Sequence, residues 1–237
     1  MRLCELAQAC YCYSVVASRY DKAYAKLRET TRPGMAMQEG DWRAVLVWLS
    51  EWGCRHIPAD KGKDTTNRDA ESLALKGWAK VYLRELPSCD STLLECHASN
   101  RMSEVAGRLY ESLEKLDLNV TNRRGKPVKL GPTAAAKVLF ALRPRLFAPW
   151  DRAIRSKRET ASDYVVYLRE VAKDLVTLKH DACKKVSSME IDDLPYRLGR
   201  PGSTLVKLAD EYYWCVHRGW KPLSAARLVD WQNWCVT

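Results

Sequence analysis

Apolar residues recur at three- and four-residue spacing along most of the chain, the periodicity of helices that each bury one face. Residues 3 to 30 ("LCELAQACYCYSVVASRYDKAYAKLRET") and 41 to 55 ("DWRAVLVWLSEWGCR") carry the pattern, with Pro33 and Gly34 breaking between them. After the polar loop "PADKGKDTTNRD" the same spacing predicts helices over about 70 to 86, 90 to 98, 102 to 117, 132 to 142, 151 to 158, 161 to 180, 203 to 217 and 222 to 235. The breaks fall at "ELPS", "RRGKP", "RPRLFAP" and "GRPGS", rich in the residues that punctuate regular structure. No stretch alternates convincingly between apolar and polar, so the expected fold is all-α. Every break is short enough to be an ordinary connection between helices, and the expectation is one compact helical unit over residues 1 to 237, with room for two lobes.

Composition adds that the unit is globular, since 46% hydrophobic residues are ample for a core. The longest apolar runs are short ones such as "VLFAL" at 138 to 142, and Glu5 and Gln8 interrupt the N-terminus where a signal peptide needs an apolar stretch. A soluble, intracellular protein with no membrane partner is therefore expected. Nine cysteines in a chain with no export signal read as reduced thiols. The loose clusters are Cys4, Cys10 and Cys12, then Cys54 with His56, then Cys89, Cys96 and His97; none has the paired C-x2-C spacing of a zinc site, and no metal is expected.

Charge changes the picture more. The formal net charge is +10, and between Val120 and Arg158 the chain holds eleven basic residues against one acid, Asp151. The remaining 28 basic and 28 acidic residues cancel, so the whole excess is local. A concentrated basic face on an otherwise neutral protein suits a phosphate backbone, because each neutralised phosphate releases counterions. Nucleic acid is the first partner to consider; a solvated helix face or an anionic lipid surface are the alternatives.

Within that region, residues 116 to 158 carry the chemistry. In "LDLNVTNRRGKPVKLGPTAAAKVLFALRPRLFAPWDRAIR" (116 to 155) a helix ends, a basic Gly/Pro turn follows, "LGP" opens a helix of small residues, and a linker delivers "PWDR" to the head of the next helix. N–H groups at a helix start are free to grip a phosphate, and a glycine such as Gly131 lets backbone approach it. Arg123, Arg124, Lys126, Lys129 and Lys137 would flank the same phosphates, with Thr133, Arg152 and Arg155 close by. Asp151 lies twenty residues after Gly131. An aspartate at a helix start is also a favoured N-cap, and the two roles are compatible.

This segment resembles the helix-hairpin-helix DNA glycosylase superfamily. The points of similarity are the hairpin-to-aspartate spacing, the alanine-rich second helix and "DRAIR" after the aspartate. The resemblance implies a helical bundle with a cleft between two lobes, double-stranded DNA containing a modified base as substrate, and Asp151 as the catalytic carboxylate. A flipped base needs aromatic walls, for which Trp150 is the first candidate, followed by Trp214, Trp220, Trp231 and Trp234; Trp42, Trp48 and Trp52 lie at core spacing. Lys129 stands where the hairpin's first glycine would be, so the turn must be shaped differently. Thr133 stands where strand-cleaving relatives carry a nucleophilic lysine, which implies a monofunctional enzyme unless Lys129 or Lys137 takes that part. After Asp151 only Cys183, Cys215 and Cys235 occur, too scattered for the iron–sulfur cluster of some relatives, so no cofactor is expected. The superfamily includes enzymes for oxidised or alkylated bases and a prokaryotic antiviral type that removes glucosylated hydroxymethylcytosine from phage DNA. The compact, aromatic-rich chain is similar to the latter, which implies a monomer in the prokaryotic cytoplasm. A non-enzymatic DNA-binding module and a helical RNA-binding protein remain alternatives.

Overall fold

The small-residue stretch at 131 to 142 becomes the helix around which the others assemble. The computed structural model describes residues 1 to 31, 39 to 54, 56 to 57, 66 to 122, 124 to 185 and 190 to 219. In chain order the helices are α1 (Leu3–Val16), α2 (Ser18–Thr31), α3 (Glu39–Glu51), α4 (Thr66–Tyr82), α5 (Leu93–Cys96), α6 (Asn100–Glu114), α7 (Gly131–Leu142), α8 (Arg152–Arg155), α9 (Ala161–Lys185), α10 (Leu194–Arg197) and α11 (Leu205–His217). Strands β1 (Asp117–Thr121) and β2 (Pro127–Lys129) form an antiparallel pair between α6 and α7. The mainly helical expectation holds. No described helix is long and apolar enough to cross a membrane.

From Ala134 to Leu142 every residue of α7 is buried, which the three successive alanines permit by letting neighbouring helices approach. Helices α3 and α6 pack against it, α9 packs on α6, and α11 packs on α1. The main core cluster draws on residues from Leu3 to Ala209. Tyr24, Trp48, Trp52 and Phe140 form its aromatic centre, with Trp52 and Phe140 stacked at 5.9 Å. The core reading of Trp42, Trp48 and Trp52 is therefore correct, all three being buried.

The boundaries differ in instructive places. The pattern over 3 to 30 is two helices, because the backbone turns at the buried Ala17 (φ −116°, ψ 21°) and restarts at Ser18. The segments expected at 90 to 98 and 151 to 158 shrink to single turns, α5 and α8. The helix expected at 222 to 235 lies outside the described residues.

The larger correction is the connection between α6 and α7. It is not a tight turn between helices but a β-hairpin, and the expectation of no strands fails there. Asn122 builds the tip: its Oδ1 accepts from the Arg124 and Lys126 N–H groups at 2.9 and 3.2 Å, and its own N–H donates to the Lys126 carbonyl at 2.9 Å. Gly125 supplies the left-handed residue (φ +70°) that closes the turn. Leu118 is buried and Val120 and Val128 half-buried on one side, an alternation too short to stand out in the sequence.

Candidate functional site

Asp151 is held by what precedes it. Residues 146 to 150 are buried, and two tyrosines of α9 pin their backbone: Tyr164 donates its hydroxyl to the Ala148 carbonyl at 3.1 Å, Tyr167 to the Pro149 carbonyl at 3.0 Å. Trp150 lies parallel to the Tyr167 ring at 5.7 Å and edge-on to Tyr110 at 5.8 Å. The chain leaves this clamp in extended conformation, and the Asp151 carbonyl accepts the first helical bond of α8 from the Arg155 N–H at 2.8 Å.

The Asp151 side chain does not cap that helix. It turns instead toward α7, where Oδ1 lies 2.9 Å from Nζ of Lys137. The Lys137 ammonium is 2% exposed, donates to the Trp52 carbonyl at 2.7 Å, and lies 5.2 Å from the Trp52 ring centroid. Burial alone would lower its pKa; Asp151, with smaller help from Cys54 and Asp210, outweighs burial and holds the pKa above the ordinary lysine value. Lys137 is therefore an ammonium at neutral pH.

The pair opens onto a narrow cleft of only about 10 Å³, room for about one water, lined by Tyr13 and Tyr20 from α1 and α2, Trp52 just after α3, Lys137, Pro149, Asp151, and Asp210 and Trp214 from α11. Two charged groups and a second carboxyl thus share one small space with four aromatic rings. Asp210 is buried, with Lys207 Nζ 3.4 Å from its Oδ2, but that ammonium lies closer to Glu211, at 3.0 Å. Burial dominates the counter-charge and pushes the Asp210 carboxyl up to about 7. The stability contributed by this retained proton is complete below the ordinary carboxyl value of 3.8 and is lost as pH rises through about 7. Behind it, the buried Lys207 and Glu211 continue to Arg200, which reaches Glu211 at 2.5 Å and Asp21 at 2.8 Å.

The candidates chosen by sequence separate into groups. Arg124, Lys126 and Lys129 are exposed on the hairpin, and Arg152 is exposed on α8. Gly131 adopts φ +74° at the start of α7, a left-handed conformation that favours glycine, and Thr133 is half-buried one turn before Lys137. Arg123, Trp220, Trp231 and Trp234 lie outside the described residues.

Three candidates need correction. Lys137 does not flank a surface phosphate, because its ammonium is consumed by Asp151 and the Trp52 carbonyl. Arg155 is buried under its ion pair with Glu159 at 3.7 Å and sits 5.9 Å from the Trp150 ring, so it too is withdrawn from the surface. Trp150 is fully buried among tyrosines and is part of the clamp that sets Asp151, not a wall for a base. Trp214, by contrast, is half-buried and lines the cleft.

Comparison of the chain with protein-family models, curated proteins and solved structures gives no match. What it can do must be read from the cleft. A fixed carboxylate beside aromatic faces can stabilise a developing cation and orient water, and the rings can stack on a planar or saccharide group. Sequence reasoning missed Tyr13, Tyr20 and Asp210. Asp210 had a signal: in "LVKLADEYYW", Lys207, Asp210 and Glu211 stand three and four residues apart within an apolar helix, the spacing of a paired buried cluster.

Proposed function

We propose that the protein is a monofunctional DNA glycosylase in which Asp151 assists hydrolysis of the N-glycosidic bond of a flipped, modified nucleotide. The observation that carries the reading is the Asp151 side chain: it stands at a helix start yet makes no cap, and faces an aromatic cleft. As the glycosidic bond breaks, positive charge builds on the sugar, and a carboxylate beside it is worth most in a site shielded from water. Binding pockets for small molecules commonly span about 300–1,000 Å³, so a cleft of about 10 Å³ must open widely, by movement of its walls, to admit a nucleotide. The half-buried Tyr20 and Trp214 are the side chains placed to move.

Hydrolysis without strand cleavage is favoured because a lyase needs a neutral amine as nucleophile, and Lys137 is held as an ammonium. Lys129, the other candidate, projects from the exposed hairpin strand β2. The test is mass spectrometry of bases released from a panel of DNAs, with glucosylated hydroxymethylcytosine from phage DNA tried before oxidised and alkylated bases. Release of one modified base, with abasic sites cleaved only after alkali and no borohydride-trapped adduct, is expected. Salt-sensitive binding without release of any base would make the chain a non-enzymatic DNA-binding protein. A borohydride-trapped adduct would make it a lyase.

The exposed hairpin charges supply a separate expectation. Replacing Arg124, Lys126 and Lys129 together with alanine should weaken duplex binding regardless of sequence. The slope of log K against log salt should fall by about 1 for each phosphate that the variant no longer neutralises. Fluorescence anisotropy between low and moderate salt measures it; an unchanged slope means that DNA does not touch the hairpin.

A further inference from the structure

We infer that Asp210 is a second functional carboxyl of this cleft, handing a proton to the departing base while the Asp151 carboxylate takes one from the attacking water. The inference rests on the glycosylase reading and adds a division of labour to it. Asp210 comes from α11, on a different element from Asp151, yet both line the same space.

The two carboxyls differ in their partners. Asp151 has an ammonium at 2.9 Å and a side chain 30% exposed, so it is paired and reached by water. Asp210 is 6% exposed, and its nearest ammonium, Lys207, is 3.4 Å away and more closely engaged with Glu211. The charged and titratable groups that act on Asp210 come from every side: Tyr13 on α1, Lys137 on α7, Asp151 at the head of α8, Tyr167 on α9, and Lys207 and Glu211 on α11 itself. Burial and the Asp151 and Glu211 charges favour the protonated form, Lys207 and Lys137 oppose it, and the balance falls at about 7. A paired, water-reached carboxylate and a buried carboxyl lining one cleft from different elements are the arrangement that can divide base from acid.

The step balances with water as the only co-reactant. The C1′–N bond breaks with its electron pair going to the base, which receives the Asp210 proton. Water oxygen bonds to C1′ and loses a proton to Asp151. The products are the free base and an abasic sugar, and exchange with solvent returns both carboxyls to their starting states.

Two measurements on the whole protein test this. Carboxyl ¹³C NMR of aspartate-labelled protein should show one resonance titrating near neutral pH and missing from Asp210→Asn. Single-turnover base release, followed from pH 5.5 to 9 on the substrate found in the panel, should decline as pH rises through about 7 in the parent protein, as a general acid is lost. In Asp210→Asn it should be about 100-fold slower at pH 6 and lack that inflection. An Asp210 resonance titrating in the ordinary carboxyl range overturns the inference even if the variant fails to fold. So does an Asp210→Asn pH profile that matches the parent's; in that case base release stands and only the role of Asp210 falls. If the parent protein releases no base while Asp210 titrates near neutrality, the glycosylase reading itself fails and takes the donor role with it.

Discussion

Asp151→Asn is expected to slow base release by roughly 10²–10⁴-fold at saturating protein, the scale on which positioned acid–base and electrostatic groups act. The substitution keeps the shape of the side chain and removes its charge; because the buried Lys137 ammonium then loses its counter-charge, some stability is lost as well, and rates are compared at a temperature where the variant is fully folded. Asparagine keeps an oxygen that can accept from Lys137, keeps the extended backbone at the head of α8, and cannot lose a cap because the aspartate side chain makes none. The tyrosine clamp on Ala148 and Pro149 does not involve the carboxylate and should hold the main chain where it is. DNA affinity should therefore change little while the chemical step collapses. Quench-flow base release and anisotropy on the same preparation separate the two, and a variant as fast as the parent would remove Asp151 from the chemistry.

Much of the framework was legible because it depends on local pattern. The apolar run from Ala134 to Leu142 had to be a helix in the core, and Gly131 before Pro132 had to mark its start. Asp151 was conspicuous as the one acid in a basic stretch, and its place at a helix start followed from Pro149 upstream. What stayed hidden depends on direction. Counting charge treats every lysine and arginine as a surface group, so Lys137 and Arg155 were assigned to phosphate when both are buried. A lysine in the middle of "AAAKVLFAL" was nonetheless a warning, because a lysine among residues that must be buried has to find an anion. The β-hairpin was missed because β1 and β2 span five and three residues and Gly125 read equally well as a plain turn. The cleft was missed because α1, α2 and α11 deliver their residues from opposite ends of the chain; no local pattern places Tyr13 beside Asp210.

Lys137→Met should destabilise the fold measurably. Methionine fills a similar volume in α7, so the loss isolates the ammonium and not a cavity. With the ammonium gone, the Asp151 carboxylate loses its counter-charge and the Trp52 carbonyl loses its donor. Removing one member of a buried pair commonly costs about 3–5 kcal/mol. Asp151 retains enough exposure to be hydrated, which brings the expected cost below that range, to about 2–3 kcal/mol. For a chain of this size that corresponds to a fall in Tm of roughly 4–12 °C. Activity should fall with it, because Asp151 no longer has a fixed orientation. The decisive measurement is the double-mutant cycle: if the pair is the unit, Lys137→Met combined with Asp151→Asn should be less destabilised than the sum of the single changes, by about 1–3 kcal/mol in thermal or urea denaturation. Simple additivity would mean that Lys137 stabilises the fold through the Trp52 carbonyl alone and that Asp151 takes its position from the tyrosine clamp.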